Sequence, residues 1–225
     1  MRGLLFTGGE MPDMAIAALF FGNYEYSVAA DSGLEAALRA GVVPDLAVGD
    51  MDSIRSRSLL DSLPPDRVER WDVDKDYTDT EIALTALARR GVDEVVLVGG
   101  GGGRLDHLFG IEDLFRRDYF PELWISAETI VAVVEGGTRR ARLGIEGLSE
   151  TMPLSVFPVV PRAGASAGRT CRAEGLHWRI DGLDWDAGDY SLSNRADGTR
   201  ALIDAGAGRF LVVLPASGEL KISYL

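Results

Sequence analysis

Short apolar runs and longer amphipathic segments alternate along the first half of the chain. The apolar runs are typical of buried strands and cover residues 4–6, 26–30, 45–48, 68–71 and 94–98. Helical patterns follow several of them, at residues 14–21, 34–40, 80–90 and from about 104 to 117. Because strands that alternate with helices at this spacing form parallel sheets, this half is predicted to be an α/β domain with a mainly parallel sheet.

The pattern changes after about residue 120. Glycine and aspartate turn signals now separate strand-like runs at residues 123–134, 139–143, 154–160 and 210–214, and long helical periods are absent. This pattern predicts a β-sandwich with a jelly-roll-like arrangement. We therefore expect two domains, residues 1–120 and 121–225, with the boundary near Phe120-Pro121.

Acidic or glycine-rich segments stand where predicted strands end, at residues 30–33, 49–53, 76–79 and 99–107. In open α/β sheets, ligands bind outside the carboxyl ends of the strands. Carboxylates that face one crevice repel each other unless a cation lies among them, and Mg²⁺ prefers oxygen ligands and usually binds together with substrate phosphates. The sequence therefore predicts Mg²⁺-dependent chemistry on a phosphorylated nucleotide.

Asp50, Asp52 and Asp79 are candidate metal ligands. The i, i+2 spacing of Asp50 and Asp52 places both carboxylates on one face of an extended segment, with a simple turn as the alternative. Thr78 and Glu81 have the spacing of a capping box, so Asp79 is expected in the first turn of a helix, where the macrodipole stabilises its charge. Helix capping without metal binding is the alternative for this segment.

Five glycines at 99–103 join a predicted strand to a helix that begins near Arg104. Backbone N–H groups at such a junction form an anion site, although a tight turn is the alternative. The loop lacks the Gly-Lys-Ser/Thr of a P-loop and the last glycine of the dinucleotide fingerprint. Arg104 would add a charged fork for phosphate. Lys75 is either a further phosphate ligand or a solvated surface residue.

The composition argues against several classes of function. The net charge of −12 and the absence of a long basic run disfavour a nucleic-acid surface. The single cysteine, Cys171, cannot form an intrachain disulfide, and the two histidines, His107 and His177, lack the spacing of a zinc site. No apolar run has the length of a signal peptide or a membrane span, so a cytoplasmic protein is expected.

Two short segments of the second half could bind a flat ligand. Trp178 follows a predicted turn, and its ring could hold a cationic heterocycle, with core packing as the alternative. Ser193 and Asn194 offer a hydroxyl and an amide, or they form a hairpin turn.

Taken in order, these motifs resemble those of the thiamine pyrophosphokinases. The segments that carry the resemblance are residues 30–33, 44–53, 76–79, 102–107, 175–178 and 193–194, spread over nearly the whole chain. Ser32 and Lys75 depart from the family, which often has glycine and glutamine at these places. Residues 143–171 match none of its motifs.

The resemblance implies a Mg-ATP-binding catalytic domain and a thiamine-binding β-sandwich, in a homodimer whose active sites are shared between subunits. It implies transfer of a diphosphate from ATP to the hydroxyl of thiamine, giving thiamine diphosphate and AMP. The metal-binding and catalytic residues would be Asp50, Asp52 and Asp79, with Arg104 also catalytic. The nucleotide site would contain Asp31, Asp76, Gly102, Gly103, Arg104, Asp106 and His107, and the thiamine site Trp178, Ser193 and Asn194.

Two other functions stay open at this point. The same fold could transfer a diphosphate to another small alcohol, such as a pterin or a thiamine analogue, or the chain could be a non-catalytic nucleotide or thiamine sensor. The complete set of acids argues against a sensor, whereas the unmatched stretch in the second half keeps another alcohol open.

Overall fold

The computed structural model describes residues 1–54, 57–61, 63–162 and 168–225. These residues form two compact units, Met1–Leu114 with Tyr119–Glu128, and Phe115–Asp118 with Thr129–Leu225. The expected boundary near Phe120-Pro121 falls inside the first unit, because the strand Leu123–Ile125 pairs with the strand Glu94–Val98. The last strand of the first unit therefore lies beyond that boundary.

The first unit is built on a parallel sheet. Its strands are β1 (Arg2–Phe6), β2 (Tyr26–Ala30), β3 (Leu46–Gly49), β4 (Val68–Arg70), β5 (Glu94–Val98) and β6 (Leu123–Ile125). All of its strand pairs are parallel, in the order β6-β5-β1-β2-β3-β4. Its helices are α1 (Met14–Ala18), α2 (Gly33–Arg39), α3 (Arg57–Asp61), α4 (Asp79–Arg89) and α5 (Leu105–Leu114).

Burial explains why these segments form a sheet covered by helices. In β1, β2 and β5 every residue after the first is buried, as expected for strands with helices on both faces. Helix α4 buries Ile82, Ala83, Leu84 and Leu87 and packs on β2 and β3. The sheet and α4 together fix the positions at which β2 and β3 end, and the site is built at these ends.

The second unit contains two antiparallel sheets. Its strands are β7 (Thr129–Glu135), β8 (Arg142–Glu146), β9 (Leu154–Val159), β10 (Thr170–Glu174), β11 (Ser191–Asn194), β12 (Arg200–Ala207), β13 (Arg209–Pro215) and β14 (Lys221–Tyr224). One group runs β11-β9-β13-β7 and the other β10-β12-β8-β14. The run predicted as one strand at residues 123–134 is interrupted at 126–128, so that β6 and β7 belong to different units.

Polar contacts join parts of the second unit. The Tyr224 hydroxyl donates to the Val133 carbonyl at 2.8 Å and so links β14 to β7. Arg209, which is buried, binds the Glu135 carboxylate at 2.6 Å and donates to the carbonyls of Phe115 and Arg117 at 2.7 Å. These bonds attach residues 115–118 to the second unit. None of the helices in the described part of the chain has the length and apolar character needed to cross a membrane.

Candidate active site

Three carboxylates meet at the carboxyl edge of the first unit's sheet. Asp31 follows β2 directly, Asp50 follows β3, and Asp79 is the first residue of α4. One carboxylate oxygen from each lies within 4.8 Å of the others. Because the strands are parallel, their ends converge on one edge, as the sequence predicts for Asp31 and Asp50. We call these three residues the carboxylate cluster.

Gly49 allows the cluster to be compact. Its φ of 140° is rarely adopted by residues with a side chain. A Cβ at this position would lie 3.1 Å from Asp79 Oδ1 and 3.2 Å from the Asp31 Cβ. A larger residue here would therefore push apart two members of the carboxylate cluster.

Asp31 has an unusual backbone conformation and a raised pKa. It has a left-handed backbone with φ 48°, and its Oδ1 is buried without a hydrogen-bond partner among the described residues. The Ser53 hydroxyl donates to its other oxygen. Burial, followed by the charges of Asp79 and Asp50, raises the pKa of Asp31 to about 6. The carboxyl thus stands in a place that would favour a nearby cation.

Lys75 supplies a cation to the other two carboxylates. Its Nζ lies 3.1 Å from Asp79 Oδ1 and 3.3 Å from Asp50 Oδ2, and it donates to the Asp72 carbonyl at 3.0 Å. The Lys75 side chain is only 11% exposed. Lys75 is therefore not a solvated surface residue.

Asp50 and Asp52 form a turn rather than an extended pair. The expectation that both carboxylates share one face of an extended segment is wrong, because Met51 between them has φ 64°. The Asp52 N–H donates to Asp50 Oδ1 at 3.1 Å, and this bond is the main reason that the pKa of Asp50 is lowered. The neighbouring Asp50 carboxylate raises the pKa of Asp52. Asp52 itself is exposed and outside the carboxylate cluster, as is Asp76.

The capping box predicted before α4 is confirmed. Thr78 Oγ1 accepts from the Glu81 N–H at 3.3 Å, and Glu81 Oε2 accepts from the Thr78 N–H at 2.7 Å. The box fixes the start of α4, so Asp79 occupies the first turn of the helix as expected. Its carboxylate is left to face Asp31, Asp50 and Lys75.

The glycine loop after β5 is attached to β6 and to the segment after β1. The Gly99 N–H donates to the Ile125 carbonyl at 2.9 Å and the Gly100 N–H to the Gly8 carbonyl at 2.7 Å. Because these amides are already bonded, an anion in this loop would have to be bound by the later glycines, among them Gly102 and Gly103. At Gly100 a Cβ would lie 2.2 Å from Ile111 Cδ1, so the loop has a packing reason for glycine beyond making a turn.

A cavity of about 690 Å³ connects these features within the first unit. Its lining includes Asp31, Lys75, Asp79 and the glycines from Gly100 to Gly103. Arg104, Asp106 and His107, at the start of α5, also line it. The structure thus brings most of the nucleotide-site residues expected from the sequence to one cavity, whereas Asp76 is not among its lining residues.

Arg104 is paired with Asp106 at the mouth of this cavity. Its Nε and a terminal nitrogen contact the two Asp106 oxygens at 3.1 Å and 2.5 Å, and both side chains are exposed. The guanidinium lowers the pKa of Asp106. Exposed ion pairs contribute little to stability, so this pair can open at small cost.

Sequence reasoning did not identify two hydroxyl residues in the cavity wall. Thr7, which follows β1, and Thr80, in the first turn of α4, have hydroxyls 2.6 Å apart. Thr7 could have been predicted from its place directly after a strand, and Thr80 from its place at the start of a helix.

In the second unit, Trp178 presents a ring to solvent. The side chain is 51% exposed, so the core-packing alternative does not hold. The Arg195 guanidinium lies over the ring, 4.9 Å from its centroid. Arg195 was not expected from the sequence, and it occupies one face of the ring through a cation–π contact.

Asn194 holds the backbone of Trp178. Its Oδ1 accepts from the Trp178 N–H at 3.1 Å, and its Nδ2 donates to the Trp178 carbonyl at 2.8 Å. Asn194 is 1% exposed, so in this structure its amide is directed at Trp178 rather than at solvent. Ser193 is exposed, with φ 54°, where the pairing of β11 with β9 shifts register. These residues lie in a strand with a bulge and not in a hairpin turn.

Comparison with known proteins identifies the relatives of this chain. Residues 17–125 match the family described as thiamin pyrophosphokinase, catalytic domain. The resemblance to the thiamine pyrophosphokinases is confirmed. The matched range contains β2 to β6 and the whole carboxylate cluster.

One curated relative and several solved structures agree with this family. The thiamine pyrophosphokinase of Bacillus subtilis (strain 168) is 33% identical over 85 residues, which are 37% of this chain and 39% of that protein. The crystal structure of the B. subtilis enzyme has a TM-score of 0.71 at 18% identity, covering 96% of this chain and 100% of that one. A family protein from Enterococcus faecalis gives 0.70 at 20% identity, with coverage of 96% and 100%. These structural matches establish a shared fold over nearly the whole chain.

Proposed function

We propose that this protein is a thiamine pyrophosphokinase, which transfers a diphosphate from ATP to thiamine. The thiamine hydroxyl oxygen would attack the β-phosphorus of ATP. A new oxygen–phosphorus bond forms, the bond from the β-phosphorus to the oxygen of the α-phosphate breaks, AMP leaves, and the hydroxyl proton is released. The observation that carries the proposal is the carboxylate cluster beside a cavity with a glycine loop. The cluster and the loop lie within the residues that match the family.

The donor set of the cluster fits Mg²⁺. Hard divalent cations prefer carboxylate oxygens, and Asp31 Oδ1 is buried without a hydrogen-bond partner among the described residues. We assign Asp50 and Asp79 as metal ligands, with Asp31 from the same cluster and Asp52 from the adjoining turn. When bound with ATP, Mg²⁺ would neutralise charge on the phosphates.

The protein's own residues would bind and orient the phosphates. Phosphoryl transfer depends mainly on positioning and on stabilising charge. Gly102 and Gly103 would offer backbone N–H groups, and Arg104 would release Asp106 to bind a phosphate oxygen. His107 lines the same cavity, and Asp76, which is exposed on the segment before α4, would complete the nucleotide site.

The second unit would bind the acceptor. We assign the exposed part of the Trp178 ring to the thiazolium or pyrimidine ring of thiamine and the exposed Ser193 to a polar contact, with Asn194 acting through Trp178. The two sheets would form a jelly-roll-like sandwich. The active protein would be a cytoplasmic homodimer in which one subunit supplies the carboxylate cluster and the other the Trp178 ring.

An AMP-release assay tests the activity. Purified protein is incubated with ATP, Mg²⁺ and, in separate reactions, thiamine, thiamine analogues and a pterin alcohol. AMP release with thiamine, together with thiamine diphosphate detected by mass spectrometry, is expected. Release with another alcohol but not with thiamine would establish the second candidate, which stays open because the family match ends at residue 125. No release with any alcohol would contradict the proposal.

Trp178→Ala tests the acceptor site. Loss of a stacked ring costs about tenfold in affinity, so the KM for thiamine should rise about tenfold while the KM for ATP changes little. Asn194→Asp keeps the acceptor oxygen for the Trp178 N–H, but it loses the donor to the Trp178 carbonyl and buries a charge, so it should impair the acceptor site no less than Asn194→Ala. Equal changes in both KM values in a folded Trp178→Ala protein would contradict the assignment.

Subunit mixing tests the shared site. Asp52→Asn and Trp178→Ala proteins, each inactive or weak alone, are mixed under conditions of subunit exchange. Partial recovery of AMP release is expected if each site draws on both subunits. Heterodimers demonstrated by mass spectrometry that show no recovery would mean that each site is built from one chain.

A further inference from the structure

Lys75 is bound more completely than a surface lysine would be. Its Nζ contacts three oxygens, from Asp79 at 3.1 Å, Asp50 at 3.3 Å and the Asp72 carbonyl at 3.0 Å. Asp50 and the Asp72 carbonyl accept hydrogen bonds from the ammonium group, and Asp79 forms an ion pair with it. Asp50 and Asp79 side chains are themselves only 14% and 20% exposed. The contact therefore lies inside the carboxylate cluster and not at its rim.

The residue type adds to this observation. The chain has 23 lysines and arginines in all, of which only Lys75 and Lys221 are lysines. Arginine presents a broad planar fork, whereas lysine presents a compact point charge. A compact charge can fit between two carboxylates that also bind a small cation, and a guanidinium would need more room.

We propose that Lys75 is the resident cation of the carboxylate cluster, joining Asp50 to Asp79 until a divalent metal ion replaces it at one or both of them. This inference rests on the proposed metal site. Lys75 and the metal compete for the same oxygens, so the metal alone binds weakly. A nucleotide polyphosphate gives the displaced ammonium a new anionic partner, so metal and nucleotide bind more strongly together than separately.

Metal affinity without nucleotide is the first test. Binding of Mg²⁺ and of Mn²⁺ is measured by calorimetry for the wild type, Lys75→Gln, Lys75→Arg and Lys221→Gln. Removal of a cation within hydrogen-bond distance of two ligands should tighten metal binding about tenfold in Lys75→Gln. Lys221→Gln changes the net charge equally but lies in the second unit, on β14, and should bind like the wild type. Lys75→Arg keeps the charge and should bind no more tightly than the wild type.

Addition of a non-hydrolysable ATP analogue should narrow the difference between Lys75→Gln and the wild type. The wild type should gain more metal affinity from the analogue than Lys75→Gln does, because only the wild type has an ammonium to transfer to the phosphates. An equal gain in both proteins, or metal binding of equal strength in both without nucleotide, overturns the role of Lys75. Neither result bears on AMP release by the wild type, so the proposed activity would stand. If the wild type releases no AMP but Lys75 and the metal still compete for Asp50 and Asp79, only the proposed activity is contradicted.

A measurement on the wild type covers the case in which Lys75→Gln does not fold. Lysines are acetylated with an amine-reactive ester, and the rates at Lys75 and Lys221 are compared by mass spectrometry. In metal-free buffer Lys75 should react several times more slowly than the exposed Lys221. Saturating Mg²⁺ should raise the Lys75 rate severalfold and leave the Lys221 rate unchanged. Bound Mg²⁺ with no change at Lys75 overturns the inference.

Discussion

Replacement of Asp31 by asparagine should make the metal-free protein more stable at neutral pH. Burial and the charges of Asp79 and Asp50 raise the pKa of Asp31 from 3.8 to about 6, so its ionised form destabilises the folded chain. Asparagine has nearly the same shape and is one of the residues that tolerate the left-handed backbone observed here, at φ 48°. It can still accept the bond from the Ser53 hydroxyl. The substitution therefore removes the charge and little else.

The size and the pH dependence of the effect follow from the pKa. A raised carboxyl pKa carries no penalty below pH 3.8. The penalty grows between pH 3.8 and about 6, where the unfolded chain loses the proton first, and it is complete above about 6. The full shift corresponds to about 3 kcal/mol at 1.36 kcal/mol per pKa unit. Because Asp31 is only partly buried, solvent screening reduces this to ~1–2 kcal/mol. For a chain of this size, that is a rise in Tm of roughly 2–8 °C.

The assay is urea unfolding in EDTA at pH 4.5 and pH 7.5. Asp31→Asn should unfold at a higher urea concentration than the wild type at pH 7.5, and the difference should shrink at pH 4.5. Asp66→Asn, at an exposed position outside the cluster, is the matched control and should show no such pH dependence. Addition of Mg²⁺ should favour the wild type, because asparagine carries no charge for the cation. An Asp31→Asn protein no more stable than the wild type at pH 7.5 would refute the reasoning.

Three further predictions concern the same unit. Asp50→Asn should reduce AMP release at least about a hundredfold while the fold is kept, and Asp52→Asn should also lose turnover. Activity within a fewfold of wild type in both variants would contradict the metal assignment. Gly100→Ala should lower the free energy of unfolding in urea by ~2–3 kcal/mol, because φ is 75° and a Cβ would meet Ile111. Gly103→Ala, where a Cβ would have no atom within 4 Å, should lower it by only ~1 kcal/mol. Equal losses in the two variants would refute this difference. Mg²⁺ with ATP should raise the Tm and EDTA should reverse the rise, and a Tm indifferent to millimolar Mg-ATP would contradict the nucleotide site.

The positions of Asp31 and Asp79 could be predicted because they depend on regular structure. A buried strand before Asp31 and a capping box around Asp79 each specify where the residue lies, and parallel strands end at one edge. The relation of Asp50 to Asp52 depends instead on Met51, whose left-handed backbone is not a usual preference of methionine. The extended geometry expected for this pair was therefore wrong.

Strands of the second unit were harder to predict because small residues fill their buried positions. In β12 (Arg200–Ala207) the buried residues are Ala201, Ile203 and Ala205, so the alternation of burial is regular but the alternation of hydrophobic size is weak. Strand β13 (Arg209–Pro215), with Phe210, Val212 and Leu214 buried, has a strong signal and was predicted. The difference lies in side-chain volume and not in backbone geometry.

The roles of Lys75 and Asn194 could not be read from the sequence, because each depends on a partner that the fold supplies. A lysine near acids forms either solvated or bound contacts, and only the approach of Asp50, 25 residues earlier, decides between them. From its residue type alone, Asn194 could lie in a turn or contact a ligand. Because its amide is buried, it needs hydrogen-bond partners, and the backbone of Trp178 provides both an acceptor and a donor. The two bonds from Asn194 fix the peptide groups of Trp178 while its side chain stays half exposed, and this arrangement is the basis for assigning the ring to the acceptor.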